Sequence, residues 1–507
     1  MKKIFILAGA VLAMMTTSCS DSFLELDSPS KFPAEQYYNS KARMYELLVS
    51  AYNPMTWFDW SQGEYNPLNV SSDVMGDDIW TGGQHAKDIE TFHLMGNYSV
   101  TPNKVMYGLW KDCYTGIRRC NYVMEYMPGI KDIDEATKNK YIAEATALRA
   151  WYYLQVWKFW GAIPYYTTNL NSESGYAIEK SDEKTVYEGI IKDLEDVMAM
   201  NALPMKVADK ADSGHMTLAT VYMMYADAVM YQNDDTRYGK ALEYMGNIIN
   251  SQKYSLDTDY AHIWTEDGEW NDETIFSINF FNDGASRSWN NPYYAGGTIT
   301  PNLISPYGMN DGTVVNGVAF NAGWGFCPVR EDAYAAFESG DVRRDASIND
   351  LRNVKYTARY EDTGFWLRKY AARKGYNDGQ IADKELNYGN DLRIYRYSET
   401  LLNAAELILR GAGTGDAQGY FDKVRTRAGL KAGSKVVSID NIIDERRVEF
   451  MGEGKRYFDL VRSGKAAAAL GATGYRTVGW TPNKKYLPLP QAEINSSDGK
   501  LIQNSDY

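Results

Sequence analysis

Several groups of residues in this chain have types and spacings that invite a chemical reading. Glu445, Glu449 and Glu453 fall at i, i+4 and i+8 in IIDERRVEFMGEGKR, which would line three carboxylates along one helix face for acid–base work. Arg446, Arg447, Lys455 and Arg456 are interleaved with them, and alternating charge along a helix is the pattern of a structural ion-pair lattice. RGAGTGDAQG carries the glycines of a phosphate loop. Asp416 stands where the third glycine of GxGxxG belongs, however, and a helical pattern precedes it, so it reads as a helix–helix turn. Asp212-Ser213-Gly214 is half an aspartic-protease signature without a second copy, and reads as a helix start. His85 and His93 lie far from the other two histidines, so no metal spacing emerges, and no Gly-x-Ser-x-Gly elbow stands out. The sequence implies no metal, no cofactor and no catalytic residue.

Recognition chemistry is better represented. The chain holds 40 Tyr, 13 Trp and 16 Phe, 14% aromatic, and many cluster with Asn, Asp, Arg and Gly. A sugar ring gains by leaving water against a flat aromatic face, while its hydroxyls need planar donors and acceptors. Tyr and Trp supply that contact area at low conformational cost. Four clusters could meet on one surface. The first is Trp57, Trp60 and Tyr65, with Asp73, Asp77, Asp78 and Trp80 nearby; the second is Trp289, Asn290, Asn291, Tyr293 and Tyr294. The third is Trp324 between Gly323 and Gly325, and the fourth is Trp366, Arg368 and Tyr388. Trp80, Trp289, Tyr293, Trp324 and Trp366 are expected as glycan platforms, with Asp78, Asn290 and Arg368 as hydrogen-bonding groups. Trp151, Tyr152, Trp157 and Trp160 repeat at helical spacing and belong to a core.

The elements that must position these residues are mostly helical. Apolar residues at i, i+3, i+4 and i+7 predict helices over 35–52, 104–127, 137–160, 184–199, 214–231 and 237–250. Gly161 and Pro164 stop the third. RIYRYSETLLNAAELILR and GDAQGYFDKVRTRAG predict a further pair. Small residues at the crossings suggest tetratricopeptide-like hairpins in a broken, four-unit scaffold, covering about 35–250 and 392–465. Between about 252 and 392 Gly, Asn, Asp, Trp and Tyr accumulate and periodicity fails, apart from strand-like runs such as 274–280. A long irregular segment in a compact domain is usually functional, and this one is too aromatic for disorder. The fold class expected is mostly α: a helical-hairpin scaffold carrying an irregular, loop-rich aromatic face and a few short strands.

Charge and the N-terminus place the body. Fifty-three basic against 66 acidic residues give −13, which argues against a nucleic-acid partner. Mean hydropathy of −0.46 argues against a polytopic membrane protein. Lys2-Lys3, the apolar run 4–15, Thr16-Thr17-Ser18 and Cys19 read as a bacterial lipoprotein signal, cleaved after residue 18 with lipid on Cys19. Several acyl chains on one cysteine anchor firmly where one binds marginally. The remainder, 19–507, reads as one exported domain. Cys113 and Cys120 sit seven residues apart in a helical pattern, about 10.5 Å of rise, beyond disulfide reach.

With these residues in view, the chain resembles the SusD/RagB family of surface glycan-binding lipoproteins from Bacteroidetes nutrient-uptake systems. CSDSFLELDSPS is similar to the family's start after the lipidated cysteine, and IAEATALRAWYYLQVWKFWGAIPYY to its central helix and Gly-x-Pro turn. GWGFCPVREDAYAAFESGDVRRDASI, RIYRYSETLLNAAELILRG and FDKVRTRAGL follow in family order. IDERRVEFMGEGKRYFDLVRSGK and YLPLPQAEINSSDGKLIQNSDY complete the match; Thr-Thr-Ser departs from the usual lipobox, and 280–330 matches weakly. The resemblance implies a non-catalytic lid on a SusC-like TonB-dependent transporter in the outer membrane, capturing oligosaccharide and delivering it to the channel. A glycoside hydrolase, and a surface peptide-binding or structural protein, are the alternative expectations.

Overall fold

A computed structural model of the chain describes residues 37–61, 63–170 and 178–507. The signal segment 1–18 and Cys19 lie outside the described residues. Ten helices organise the rest: α1 Lys41–Tyr52, α2 Tyr107–Tyr126, α3 Glu135–Trp160, α4 Glu183–Met200, α5 Leu218–Gln232, α6 Tyr238–Asn250, α7 Tyr397–Leu409, α8 Ala417–Arg427, α9 Ile439–Glu449 and α10 Arg456–Arg462. From α1 to α8 each packs on the next, so the hairpin scaffold expected from the sequence is the scaffold observed. Further helices, of seven residues or fewer, are named by residue.

Local chemistry sets the boundaries. Asp134 and Asp182 cap α3 and α4 by accepting from the Thr137 and Thr185 amides at 2.8 and 2.9 Å. The sequence predicts a first helix over 35–52 and a fifth from 214; residues 35 and 36 lie outside the described residues, and α1 and α5 begin at Lys41 and Leu218, where Ser40 and Thr217 take the N-cap positions. Asp212-Ser213-Gly214 therefore lies in the turn before α5. Gly116 on α2 lets α3 approach closely, since a Cβ there would stand 2.2 Å from the Tyr152 ring. Trp151, Tyr152, Trp157 and Trp160 are all fully buried, as their spacing predicts. Cys113 and Cys120 are free thiols in the same core.

Between α6 and α7 the chain makes one long excursion. It carries β1 Thr274–Ile278, β2 Thr313–Val315, β3 Val318–Phe320, β4 Ile348–Asp350, β5 Phe365–Leu367 and β6 Leu392–Arg396. These pair as three two-stranded antiparallel ribbons, β1–β6, β2–β3 and β4–β5. The β1–β6 ribbon closes the two ends of the excursion against each other, and β1 packs on α5. What lies between is displayed from that ribbon. The predicted helical start at 393 is strand β6 because its partner β1 pairs with it from over a hundred residues away.

The three tail glutamates belong to a buried ion-pair lattice, but not on one helix face. Helix α9 ends at Glu449, and Glu453 lies beyond it. Their partners also come from elsewhere than the interleaved arginines. Arg343 bridges Glu445 and Glu449, Arg396 bridges Glu273, Glu449 and Glu453, and Lys369 meets Glu453 at 2.7 Å. Arg427 of α8 pairs with Glu273 and Glu449 as well, and buried charge survives only when paired this way, so the lattice fastens the excursion to α8 and α9.

Candidate functional site

Four aromatic side chains from three distant stretches close into a ring on the excursion's outer surface. Trp60 meets Trp289 edge-on, with centroids 5.2 Å apart and planes at 90°. Trp289 stacks on Trp324 at 5.9 Å and 15°. Tyr65 stands edge-on to Trp324 at 5.6 Å and tilted to Trp60 at 6.4 Å. All four are half-buried. Exposed aromatic surface backed by structure on its other side is what recognition of apolar ring faces requires.

Each member is held by its backbone. Trp289 and Asn290 form the tip of a two-residue turn, closed by the Asn291 amide donating to the Ser288 carbonyl at 2.9 Å. The Trp289 amide donates to the Asp383 carboxylate at 2.8 Å. Trp324 lies on an extended segment whose amides at Trp324 and Gly325 donate to Asn302 and Ser305 carbonyls at 2.7 and 2.8 Å. Only glycine fits at 323, where a Cβ would stand 2.2 Å from the Asn302 carbonyl oxygen. The Arg359 guanidinium donates to the Trp324 carbonyl at 2.9 Å and lies 3.5 Å over the Tyr307 ring.

The two loops that carry Trp60 and Trp289 are joined by one buried ion pair. Arg287 meets Asp59 at 2.7 and 2.9 Å, and also donates to the carbonyls of Trp60, Pro292 and Gly297 at 2.7, 2.8 and 3.0 Å. Asp59 accepts further from Thr298 and the Ile299 amide at 2.8 and 2.6 Å. A guanidinium's fixed fork of donors suits this staple, and a buried pair with its remaining valences satisfied holds its geometry. The ring itself is neutral: burial pushes the Tyr65 phenol up, so no aromatic member carries charge near neutrality.

The sequence-predicted residues divide accordingly. Trp289 and Trp324 stand in the ring, and Asn290 is exposed at the turn tip beside it. Tyr293 is half-buried, edge-on to buried Trp57 at 4.7 Å. Trp80 lies outside the ring: its face is covered by the Arg330 guanidinium at 4.3 Å and its edge meets Tyr475 at 5.5 Å. Three expectations are corrected. Trp366 is 1% exposed, a core residue on β5. Arg368 is buried and spends its donors on Val315 and Asn349 at 3.0 and 2.8 Å, fastening the β2–β3 hairpin. Asp78 is buried against Arg447 at 2.5 Å. Apolar rings and paired charges are drawn inward when tertiary partners are available, which cluster membership along the chain does not reveal. Trp60 and Tyr65, in the first sequence cluster but outside the expected platform set, complete the ring. Arg287 and Asp59 carried no local signal at all.

Comparison with known proteins agrees with this architecture. The family model described as the SusD family matches residues 256–507, and the model described as "Starch-binding associating with outer membrane" matches 22–228. SusD-like protein P25 of Formosa agariphila is 26% identical over 94% of both chains. Surface glycan-binding protein A from Bacteroides thetaiotaomicron, solved in complex with laminarihexaose, superposes with a TM-score of 0.88 at 47% identity, covering 92% of this chain and all of that one. A laminarin-binding SusD-like protein superposes with a TM-score of 0.83 at 27% identity, covering 93% of this chain and all of that one. A hairpin scaffold whose α1–α2 loop and long excursion together build an aromatic ring, with relatives along nearly its whole length, leads to one conclusion: this chain belongs to the SusD/RagB family.

Proposed function

We propose that the chain is a surface glycan-binding lipoprotein that captures a β-1,3-glucan of the laminarin type on the ring of Trp60, Tyr65, Trp289 and Trp324. One observation carries the reading: a half-exposed, neutral, rigidly backed aromatic ring in a chain 47% identical to a protein solved with laminarihexaose. The rings are not coplanar, with Trp60 at 90° to Trp289. Such faces suit a curved glucan better than a flat ribbon. Asn290 and Arg359 stand at the rim with donors for hydroxyls. The carboxylates of Asp59 and Asp383 at this site hold backbone and guanidinium groups, which supports binding rather than hydrolysis. Lipid on Cys19 would tether the protein to the outer membrane, and the family resemblance implies hand-off to a SusC-like TonB-dependent transporter.

Calorimetry with laminarihexaose and cellohexaose tests the reading. Binding of the first in preference to the second is expected, with no reducing ends released on incubation. Trp289→Ala and Trp324→Ala should each weaken binding at least tenfold, about 1.4 kcal/mol. Unchanged affinity in both variants would sink the placement, and released sugar would sink the binding-protein reading.

A further inference from the structure

Trp80, which stands apart from the ring, belongs to a second aromatic group drawn from three distant stretches. Tyr475 meets it edge-on, with centroids 5.5 Å apart and planes at 86°, and Tyr360 meets Tyr475 at 5.5 Å and 56°. Tyr475 is 42% exposed, while Trp80 and Tyr360 are half-buried. The indole N–H of Trp80 and the phenol hydroxyl of Tyr360 are accessible, and neither is bonded to a protein group among the described residues.

This group is built as the ring is built. Gly474 and Tyr475 form the tip of a two-residue turn, closed by the Thr473 and Arg476 amides, which donate to each other's carbonyls at 2.9 and 3.0 Å. Trp289 has the same placement on its own turn. A buried arginine fastens each: Arg476 donates to the carbonyls of Gly96 and Gly76 at 2.7 and 2.5 Å, as Arg287 does for the loop of Trp289. A Cβ at Gly474 would stand 2.9 Å from the Trp80 ring, so the turn lies directly against the indole. The Trp80 amide donates to the Pro328 carbonyl at 2.9 Å, and the Arg330 guanidinium lies 4.3 Å over its ring. The Tyr360 amide donates to the Gly83 carbonyl at 3.1 Å.

The two groups are neighbours. Gly83 connects them, because its own amide donates at 2.7 Å to the carbonyl of Gly325, the residue after Trp324. Two strand spacings, roughly 10 Å, therefore separate the backbones of Gly325 and Tyr360. Accessible aromatic rings with unpaired polar ends suit the C–H faces and hydroxyls of a sugar, as at the ring. Their nearness to the ring suits further units of the same polymer.

We propose that Trp80, Tyr360 and Tyr475 form a second saccharide platform, which holds a glucan chain beyond the units seated on the ring. The inference rests on the reading of the ring as a glucan site, and extends that reading from an oligosaccharide to a polymer. Once one stretch of polymer is seated, engagement of a second stretch is intramolecular, which gives firm capture from individually weak contacts.

The test is calorimetry with laminarihexaose and with laminarin on the wild-type chain, Tyr360→Ala/Tyr475→Ala and Trp289→Ala/Trp324→Ala. Tyr360 and Tyr475 lie outside the hydrophobic core, so their double variant should melt with the wild type. It should bind laminarin at least tenfold more weakly, while laminarihexaose binding stays within twofold. Laminarin affinity within twofold of the wild type in that variant overturns the platform and leaves the ring intact. Equal loss for both ligands also overturns it, because the tyrosines would then act on the ring's own site. Laminarihexaose binding indifferent to Trp289→Ala/Trp324→Ala, or a wild type that binds neither ligand, overturns the ring reading and the platform with it.

Discussion

Helix α3 and the surface ring use the same residue type to opposite ends. On α3, Trp151, Trp157 and Trp160 point in different directions around one helix, and each is surrounded: Trp151 by Phe58, Tyr152 and Phe276, Trp157 by Tyr187 and Tyr231. In the ring, Trp60, Trp289 and Trp324 come from loops and meet one another and Tyr65 while staying half-exposed. A helix presents side chains on every face, so neighbours can close over all of them. A turn tip fastened through its backbone leaves its side chain uncovered. The difference teaches that aromatic content alone distinguishes neither core nor site; what matters is whether the residue is secured by its ring or by its peptide groups.

The comparison can be broken most forcefully at Arg287. Arg287→Met leaves Asp59 buried without its partner and releases two carboxylate and three carbonyl contacts. Loss of about 3–5 kcal/mol in chemical denaturation is expected, together with at least tenfold weaker laminarihexaose binding. Intact affinity in the folded variant would show that the ring does not depend on its staple. Trp157→Ala isolates the other side: about 3–5 kcal/mol of stability lost, measured the same way, with affinity of the folded protein unchanged. Weaker binding there would join the two regions that the structure separates.

A smaller effect is expected from pH. Burial pushes the carboxyl of Asp459 up, but Arg446 and Arg462 more than offset it and hold it near about 2. Burial is likewise outweighed at Glu449 by Arg427 and Arg396, and at Glu453 by Arg396 and Lys369, leaving both low. Groups depressed on folding lend stability that is complete above their unfolded values, about 4, and lost as pH falls toward the folded ones. The melting temperature should therefore decline progressively as pH falls below about 4. Glycan affinity at the neutral ring should stay flat from pH 7 to 5, and a decline in that range would mean that a titrating group contributes to binding.

Helices were the most legible part of the fold, because periodicity and caps are local. The stop at Gly161 and the run 137–160 follow from neighbouring residues alone, and the observed α3 differs by two residues at its start. Strand β6 carries a helical pattern in sequence because its partner β1 lies over a hundred residues upstream. Within the candidate site, the types and neighbourhoods of Trp289 and Trp324 were visible, as was the irregular segment that carries both. Trp366 carried the same signal and is buried by Tyr356 and the β4–β5 ribbon. Asp78 likewise resembled a free hydrogen-bonding group until Arg447, 369 residues later, took it.

By itself, then, the sequence determined the helical scaffold, the interruption between 252 and 392, the burial of the α3 aromatics and the family resemblance. Each depends on spacing along the chain or on a contiguous pattern. The tertiary structure alone decided which aromatics meet, which are covered and what fastens them. In the ring those outcomes turn on a buried pair, Asp59 and Arg287, separated by 228 residues, and on a glycine at 323 that lets one segment lie against another. Nothing local marks a contact made only when the chain has folded.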